Sequence, residues 1–143
     1  MKIYLDNCCY NRPFDDQTQI KIHIETIAKL HIQNQIKIGV YDLVWSYILD
    51  YENKNNPYDD KKFQIENWRF IAKENVSEEN EEIILTAEKL QTEKNFKTYD
   101  ALHIACAIFA NCDYFITVDK KLLNTPVKEI KIISPINFLQ EVE

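Results

Sequence analysis

The sequence predicts an α/β fold, a three-layer α/β/α domain with a mainly parallel central sheet of four to five strands, over residues 1–143 as one unit. Three observations carry this. Short β-branched and aromatic runs alternate with longer segments of helical period, the pattern of strand–helix–strand units. One glycine (Gly39) and four prolines leave little turn punctuation for an all-β sandwich. Hydrophobic residues make up 45% of the 143 and charged residues 28%, enough apolar surface for one buried core.

In order, Met1 to Leu5 reads as a strand that ends at Asp6. An N-terminal strand is most stable in mid-sheet, and ligands bind at the carboxyl edge of open parallel sheets. The polar, proline-interrupted stretch 7–16 reads as a loop over that edge, with Arg12 pairing with Asp15 or Asp16. From Gln17 to Gln33, Ile20, Ile24, Ile27, Ala28 and Leu30 recur at helical spacing as the apolar stripe of an amphipathic helix. His23 and His31 fall on its polar side, and Glu25 lies beside the stripe. Residues 36–45 are strand-like around Gly39, most clearly at Tyr41, Leu43 and Val44. Ser46 then has the character of an N-cap for a helix from Tyr47 to Glu52. A helix over 59–73 carries Phe63, Ile65, Trp68 and Ile71. A very short strand at 75–76 precedes a helix with Ile83, Ile84, Ala87 and Leu90 inward. The acids Glu78, Glu79, Glu81 and Glu82 complement that helix's dipole.

The stretch from Thr98 to Asp119 organises the rest. Ala101 to Ala110 is apolar nearly all round, as a helix packed on a sheet must be. A break at 111–113 leads to the β-rich run Tyr114 to Val118. Helix and strand are of matching length, so the strand returns the chain to where the helix began. Asp100 and Asp119 are therefore expected on one edge, with Asp6 delivered there by the first strand. A turn over 120–124, a strand over 129–133 and a closing helix over 136–142 complete the chain.

The net charge of −6 and pI near 5.1 argue against broad attraction to polyphosphates, although where acids gather in one metal site the bound cation sets the local sign. No pair among Cys8, Cys9, Cys106 and Cys112 has C-x-x-C spacing. With no signal peptide and no apolar run of membrane length, the expectation is a cytoplasmic protein with reduced thiols.

Each acid has a plain structural role available: Asp100 and Asp119 as helix caps, Asp6 as a strand terminator. Their joint arrival at a ligand-binding edge favours a metal instead. Clustered carboxylates repel, and hard divalent cations such as Mg²⁺ prefer oxygen ligands.

Leu5-Asp6-Asn7, Asp100-Ala101-Leu102-His103-Ile104-Ala105 and Phe115-Ile116-Thr117-Val118-Asp119 resemble the PIN-domain nucleases, including the toxin subunits of VapBC-type toxin–antitoxin pairs. The resemblance covers essentially the whole chain. It implies a Mg²⁺- or Mn²⁺-dependent endoribonuclease with Asp6, Glu52, Asp100 and Asp119 as catalytic and metal-holding acids. Glu52 enters only through the family's Ser-to-Glu spacing, matched by Ser46 and Glu52, with Asp50 and Glu25 as substitutes in a shifted register. Asn7, Ser46 and Thr117 are supporting residues by the same resemblance, Thr117 holding a water or a neighbouring carboxylate. The resemblance further implies RNA as substrate, a small antitoxin protein as partner, and a homodimer away from membranes. The stretch Asn11 to Asp16 is longer and more proline-bound than in a typical toxin. His103 is expected to be a packed helix residue, not a general base.

Two rivals stand beside this reading. A phosphatase or dehalogenase with Asp6 as nucleophile is expected to carry a second Asp two residues on, where this chain has Cys8. A catalytically weak PIN-like module acting through a protein partner is the other, with Trp68 and Phe70 as docking aromatics.

Overall fold

A computed structural model describes residues 1–143. Its sheet consists of β1 (Lys2–Leu5), β2 (Asp42–Ser46), β3 (Glu74–Val76), β4 (Tyr114–Ile116) and β5 (Lys131–Ile133) in the order β3-β2-β1-β4-β5. Every strand pair is parallel. The first strand is central and is covered on both sides of the sheet. Ile3, Tyr4 and Leu5 are fully buried, and Tyr4 lies in register with Val44 on one side and Phe115 on the other. From β1 the chain builds outward through β2 and β3, then returns to add β4 and β5 on the opposite side. The order reverses between β1 and β4. In open parallel sheets such a switch point opens a crevice beyond the strands' carboxyl ends. Asp6 leaves β1 there, and Thr117 to Asp119 leave β4 there.

The helices are α1 (Asn7–Asn11), α2 (Ile20–Lys37), α3 (Tyr47–Lys54), α4 (Asp59–Ile71), α5 (Glu81–Lys94), α6 (Thr98–Phe109), α7 (Lys120–Leu123) and α8 (Pro135–Val142). They cover the sheet in the predicted three layers, with α5 packed on α6 and α2 on α8. As its composition requires, α6 buries Ala101, Ile104, Ala105, Cys106 and Ala107. None of the helices is long and apolar enough to cross a membrane, and all four cysteines are free thiols.

Three expectations are corrected. The stretch 7–16 is not a plain loop: Asn7–Asn11 is helical and Arg12–Phe14 forms a 3-10 turn, because the Asp6 side chain accepts from the Asn7 N–H and caps the first turn. The helix beginning at Ile20 runs on to Lys37, so Ile36 is helical, and the strand starts only at Asp42 after a turn at Gly39, whose φ is +85°. Most consequential is the face that α2 buries. Ile20, Ile24, Ile27 and Leu30 are exposed, whereas Glu25, Thr26, Lys29 and Gln33 are buried with Ala28, Ile32 and Ile36. Arg12 makes this tolerable. Its guanidinium sits 3.0 Å from Glu25 and 2.9 Å from Asp15, and its carbonyl accepts from the Thr26 hydroxyl at 3.2 Å. On the neighbouring helices, Phe63 and Phe70 of α4 are exposed, leaving Ile65 as its one buried residue, and Ile84 of α5 lies at the solvent edge.

Lys29 is the residue this face tolerates worst. It is only 4% exposed, its Nζ lies 5.8 Å from the centre of the Tyr10 ring, and burial pulls its pKa from 10.5 down to about 8. Below about pH 8 the ammonium is charged in both folded and unfolded chains, so the folded state bears the whole burial cost. Between about 8 and 10.5 the folded chain gives up its proton first, and the cost fades as pH rises. Allowing for the lost ring contact, Lys29→Met should stabilise the protein at pH 7 by about 1–2 kcal/mol, an increase in Tm of about 5 °C. The gain should shrink towards pH 10 in thermal melts followed by circular dichroism.

Candidate active site

Asp6 is almost fully buried where β1 ends. One carboxylate oxygen, Oδ1, accepts from the Asn7 N–H at 2.8 Å, and Oδ2 accepts from the Thr117 hydroxyl at 2.9 Å and the Cys8 thiol at 3.5 Å. Thr117, fully buried just after β4, also accepts from the Asp119 N–H at 3.1 Å. One hydroxyl thus ties the acid of the central strand to the segment that carries Asp119. Asp119 is the N-cap of α7, its Oδ1 accepting from the Lys121 and Leu122 N–H groups at 2.9 and 3.2 Å. The capping roles open to Asp6 and Asp119 are therefore real, and each uses only part of its carboxylate's accepting capacity.

Asp100 differs. Lys97 occupies the N-cap of α6, so Asp100 sits in the first turn without capping it, and it accepts no hydrogen bond from the protein. Partial burial, then the charges of Asp6 and Asp119, raise its carboxyl to about 6, with a smaller contribution from Glu52 and an opposing one from His103. The charges of the other three predicted acids thus all reach Asp100.

Glu52 reaches the site because Ser46 starts α3 where β2 ends, its side chain accepting from the Leu49 N–H at 3.4 Å. One carboxylate oxygen of Glu52 is hydrogen-bonded to His103 Nε2, and the other accepts from Asn7 Nδ2 at 3.5 Å. The substitutes lie elsewhere. Asp50 accepts from the Trp45 indole N–H at 2.9 Å, and Glu25 is held by Arg12.

His103 does more than the packing role the sequence predicts. It is 1% exposed and packed in α6, as expected, yet it is also the centre of a polar chain. Nε2 meets Glu52 and lies 4.0 Å from Asp6 Oδ1, while Nδ1 lies 2.6 Å from the Tyr4 hydroxyl, which lies 2.5 Å from Ser46 Oγ. Burial works against a charged imidazole, but the Glu52 hydrogen bond and the charges of Asp6, Glu52 and Asp100 prevail and raise its pKa above the usual value. When charged, the imidazolium donates through Nε2 to Glu52 and through Nδ1 to the Tyr4 oxygen, and the Tyr4 hydroxyl donates to Ser46 Oγ. When neutral, Nε2–H still donates to Glu52, Nδ1 accepts from the Tyr4 hydroxyl, and the Tyr4 oxygen accepts from the Ser46 hydroxyl. The available signal was its position three residues after Asp100 on the same helix face.

No three His, Cys, Asp or Glu side chains stand close enough, as placed, to hold a metal ion. The chemistry of the set nevertheless suits a hard divalent cation. It offers four carboxylates, one of them (Asp100) without a protein donor and destabilised by its neighbours' charge.

The family model of the PIN domain matches residues 46–128, more than half of the chain. The matched span contains Ser46, Glu52, Asp100, His103, Thr117 and Asp119; Asp6 precedes it. Among solved structures, the chain is similar to one described as VapBC2 from Rickettsia felis bound to a DNA fragment from their promoter. The TM-score is 0.59 at 14% identity, covering 94% of this chain and 98% of that one. No curated protein matches. The family model, supported by a fold in which β1, β4, α3 and α6 bring their acids to one edge, shows that the chain belongs to the PIN domain family.

Proposed function

We propose that the protein is a divalent-metal-dependent endoribonuclease and the toxin of a type II toxin–antitoxin pair. The observation that carries this is the surroundings of Asp100 at the switch point of the sheet, where the charges of Asp6, Asp119 and Glu52 act on it and His103 lies against Glu52 and Asp6. Membership of a family of nucleases supports it.

Asp6, Glu52, Asp100 and Asp119 would hold Mg²⁺ or Mn²⁺. Such an ion activates water and stabilises the charge that builds on phosphorus during in-line displacement. The chain's own residues do the positioning. Thr117 fixes the Asp6 carboxylate and the start of the Asp119 turn, and His103 and Asn7 fix the two oxygens of Glu52. Asp100, with no protein donor, is the acid freest to move. Tyr51 and Tyr99 adjoin Glu52 and Asp100 in sequence, are about half exposed, and lie with ring centres 5.3 Å apart, a surface on which an unpaired base can stack.

A small antitoxin partner and a homodimer belong to the same reading, and the outward Ile20, Ile24, Ile27 and Leu30 of α2 provide apolar surface for such contacts. This exposed face, with the absence of a ready-made three-ligand cage, favours one second reading: a PIN-fold binding module without catalysis.

A cleavage assay with purified protein, Mn²⁺ and a set of structured RNAs separates the two. Cleavage that requires the ion, stops with chelator and is lost in Asp100→Asn is expected. Cleavage that survives Asp100→Asn would overturn the site, and a stable antitoxin complex without any cleavage would favour the binding module.

A further inference from the structure

A cleft of about 370 Å³ opens beside the acids, sharing Glu52 and Asn7 with them and extending between the 3-10 turn at Arg12–Phe14 and the α3–α4 connection. Its size suits a single small ligand, at the lower end of the usual range of about 300–1,000 Å³. Its chemistry is unusual for a stability device. Five of the lining residues are asparagines, and Phe14, Pro57, Tyr58, Lys61 and the acids Asp15 and Glu52, held by Arg12 and His103, complete the wall.

Two amide groups in that wall have unused capacity. Asn53 is 5% exposed; its Nδ2 donates to the Lys62 carbonyl at 2.9 Å, which fixes the amide's orientation, while its buried Oδ1 has no partner. A buried acceptor left unpaired costs stability unless something supplies a donor. Asn56 uses its Oδ1 to accept from the Tyr58 N–H at 3.1 Å, and its side-chain N–H groups donate to nothing in the protein. Lys61 has no carboxylate partner. Its Nζ sits 4.2 Å from the Tyr58 ring centre and 5.4 Å from that of Phe14. An acceptor, a donor, two aromatic rings and an unpaired ammonium are together the means by which proteins hold an unstacked nucleotide: amides on the base edge, a ring on its face, a cation on its phosphate.

We propose that this cleft is a nucleobase subsite, holding one unpaired nucleotide of the RNA next to the phosphate presented to the acids. It rests on the nuclease reading and adds to it where sequence preference is read. An apolar side chain from a partner would find little here, because only two of the eleven lining residues are hydrophobic and five are asparagines.

The test has two arms. In the first, AMP, GMP, CMP and UMP are titrated into ¹⁵N-labelled full-length protein in EDTA. The Asn53 and Asn56 side-chain amides should shift, with one nucleotide preferred, and Tyr58→Ala should weaken that binding about 10-fold or more. In the second, a randomised single-stranded RNA pool is cleaved with Mn²⁺ and the products are sequenced. Tyr58→Ala, at an exposed side chain, and Asn56→Asp, which keeps the oxygen that accepts from the Tyr58 N–H, should flatten the preference at one position beside the cut. If wild type cleaves but both variants keep its preference and KM, the subsite is overturned while the nuclease reading stands. Nucleotide binding in the cleft by a wild-type protein that never cleaves RNA supports the subsite and refutes the nuclease. Cleft resonances that respond only to a protein partner overturn the subsite in favour of a docking role.

Discussion

Asp6→Asn is expected to lower metal-dependent RNA cleavage by about 1,000-fold, while the folded state holds to within about 1 kcal/mol. The two effects separate because the side chain does two jobs. An Asn in the same rotamer keeps the oxygen that caps α1 and turns its amide N–H towards Thr117, whose hydroxyl can accept instead of donate. As a member of the acid cluster it needs its charge, which an amide lacks. The same substitution has a readout without metal. Asp6 is the largest charge acting on Asp100, so removing it should bring the Asp100 carboxyl down from about 6 towards 3.8, measurable by carbon-detected NMR titration. The sign for stability follows. Below about pH 4 Asp100 is protonated in folded and unfolded chains alike, and between about 4 and 6 only the folded chain keeps its proton. Stability of the metal-free protein therefore falls as pH rises through that window, and less so in Asp6→Asn. An unchanged Asp100 titration in the variant would mean that the two acids do not share a site.

The second large effect is expected at His103. Replacement by Ala removes a buried ring, empties the space between β1 and α3, and leaves Glu52 without its donor. The folded state should lose about 3 kcal/mol in urea denaturation. Cleavage should fall about 10- to 100-fold, the usual cost of removing a group that orients a ligand rather than binding the metal itself. His103→Gln keeps a donor on the same helix face and should recover part of both losses. Mn²⁺ affinity, measured calorimetrically with no RNA present, should weaken in Ala and recover in Gln. A residue important only for packing would instead recover best as Leu. His103 acts in the same direction as Asp100 on the pH profile. Its pKa is raised, so its stabilising charge is fully present below the ordinary histidine value and is lost as pH climbs through the folded one. Metal-free protein should thus be more stable in mild acid than at neutrality, and added Mn²⁺ should restore more at neutral pH than at pH 5.

The legible part of this protein is local. Alternation of β-prone and helix-period segments announced the three-layer architecture, and the N-terminal position of the β-prone run Met1 to Leu5 pointed to mid-sheet, where that strand lies. The acids at the ends of β1 and β4, and the one opening α6, were visible because strand and helix lengths alone determine that their ends meet. Ser46 was readable as a cap because capping depends on a residue and its next three N–H groups.

What only the tertiary structure decided is which neighbour covers which face. Periodicity showed that Ile20, Ile24, Ile27 and Leu30 share a side of α2, but whether that side is buried depends on α8 and the Arg12 turn, and these cover the opposite one. The inward polar side is possible because Arg12 neutralises Glu25, a pairing thirteen residues apart that no helical repeat encodes. The same holds at the site. Glu52 rather than Asp50 or Glu25 meets His103, and His103 meets Tyr4, through contacts spanning 51 and 99 positions of sequence. Such distant contacts exist only once the sheet has formed, because the sheet is what brings those side chains within hydrogen-bonding distance.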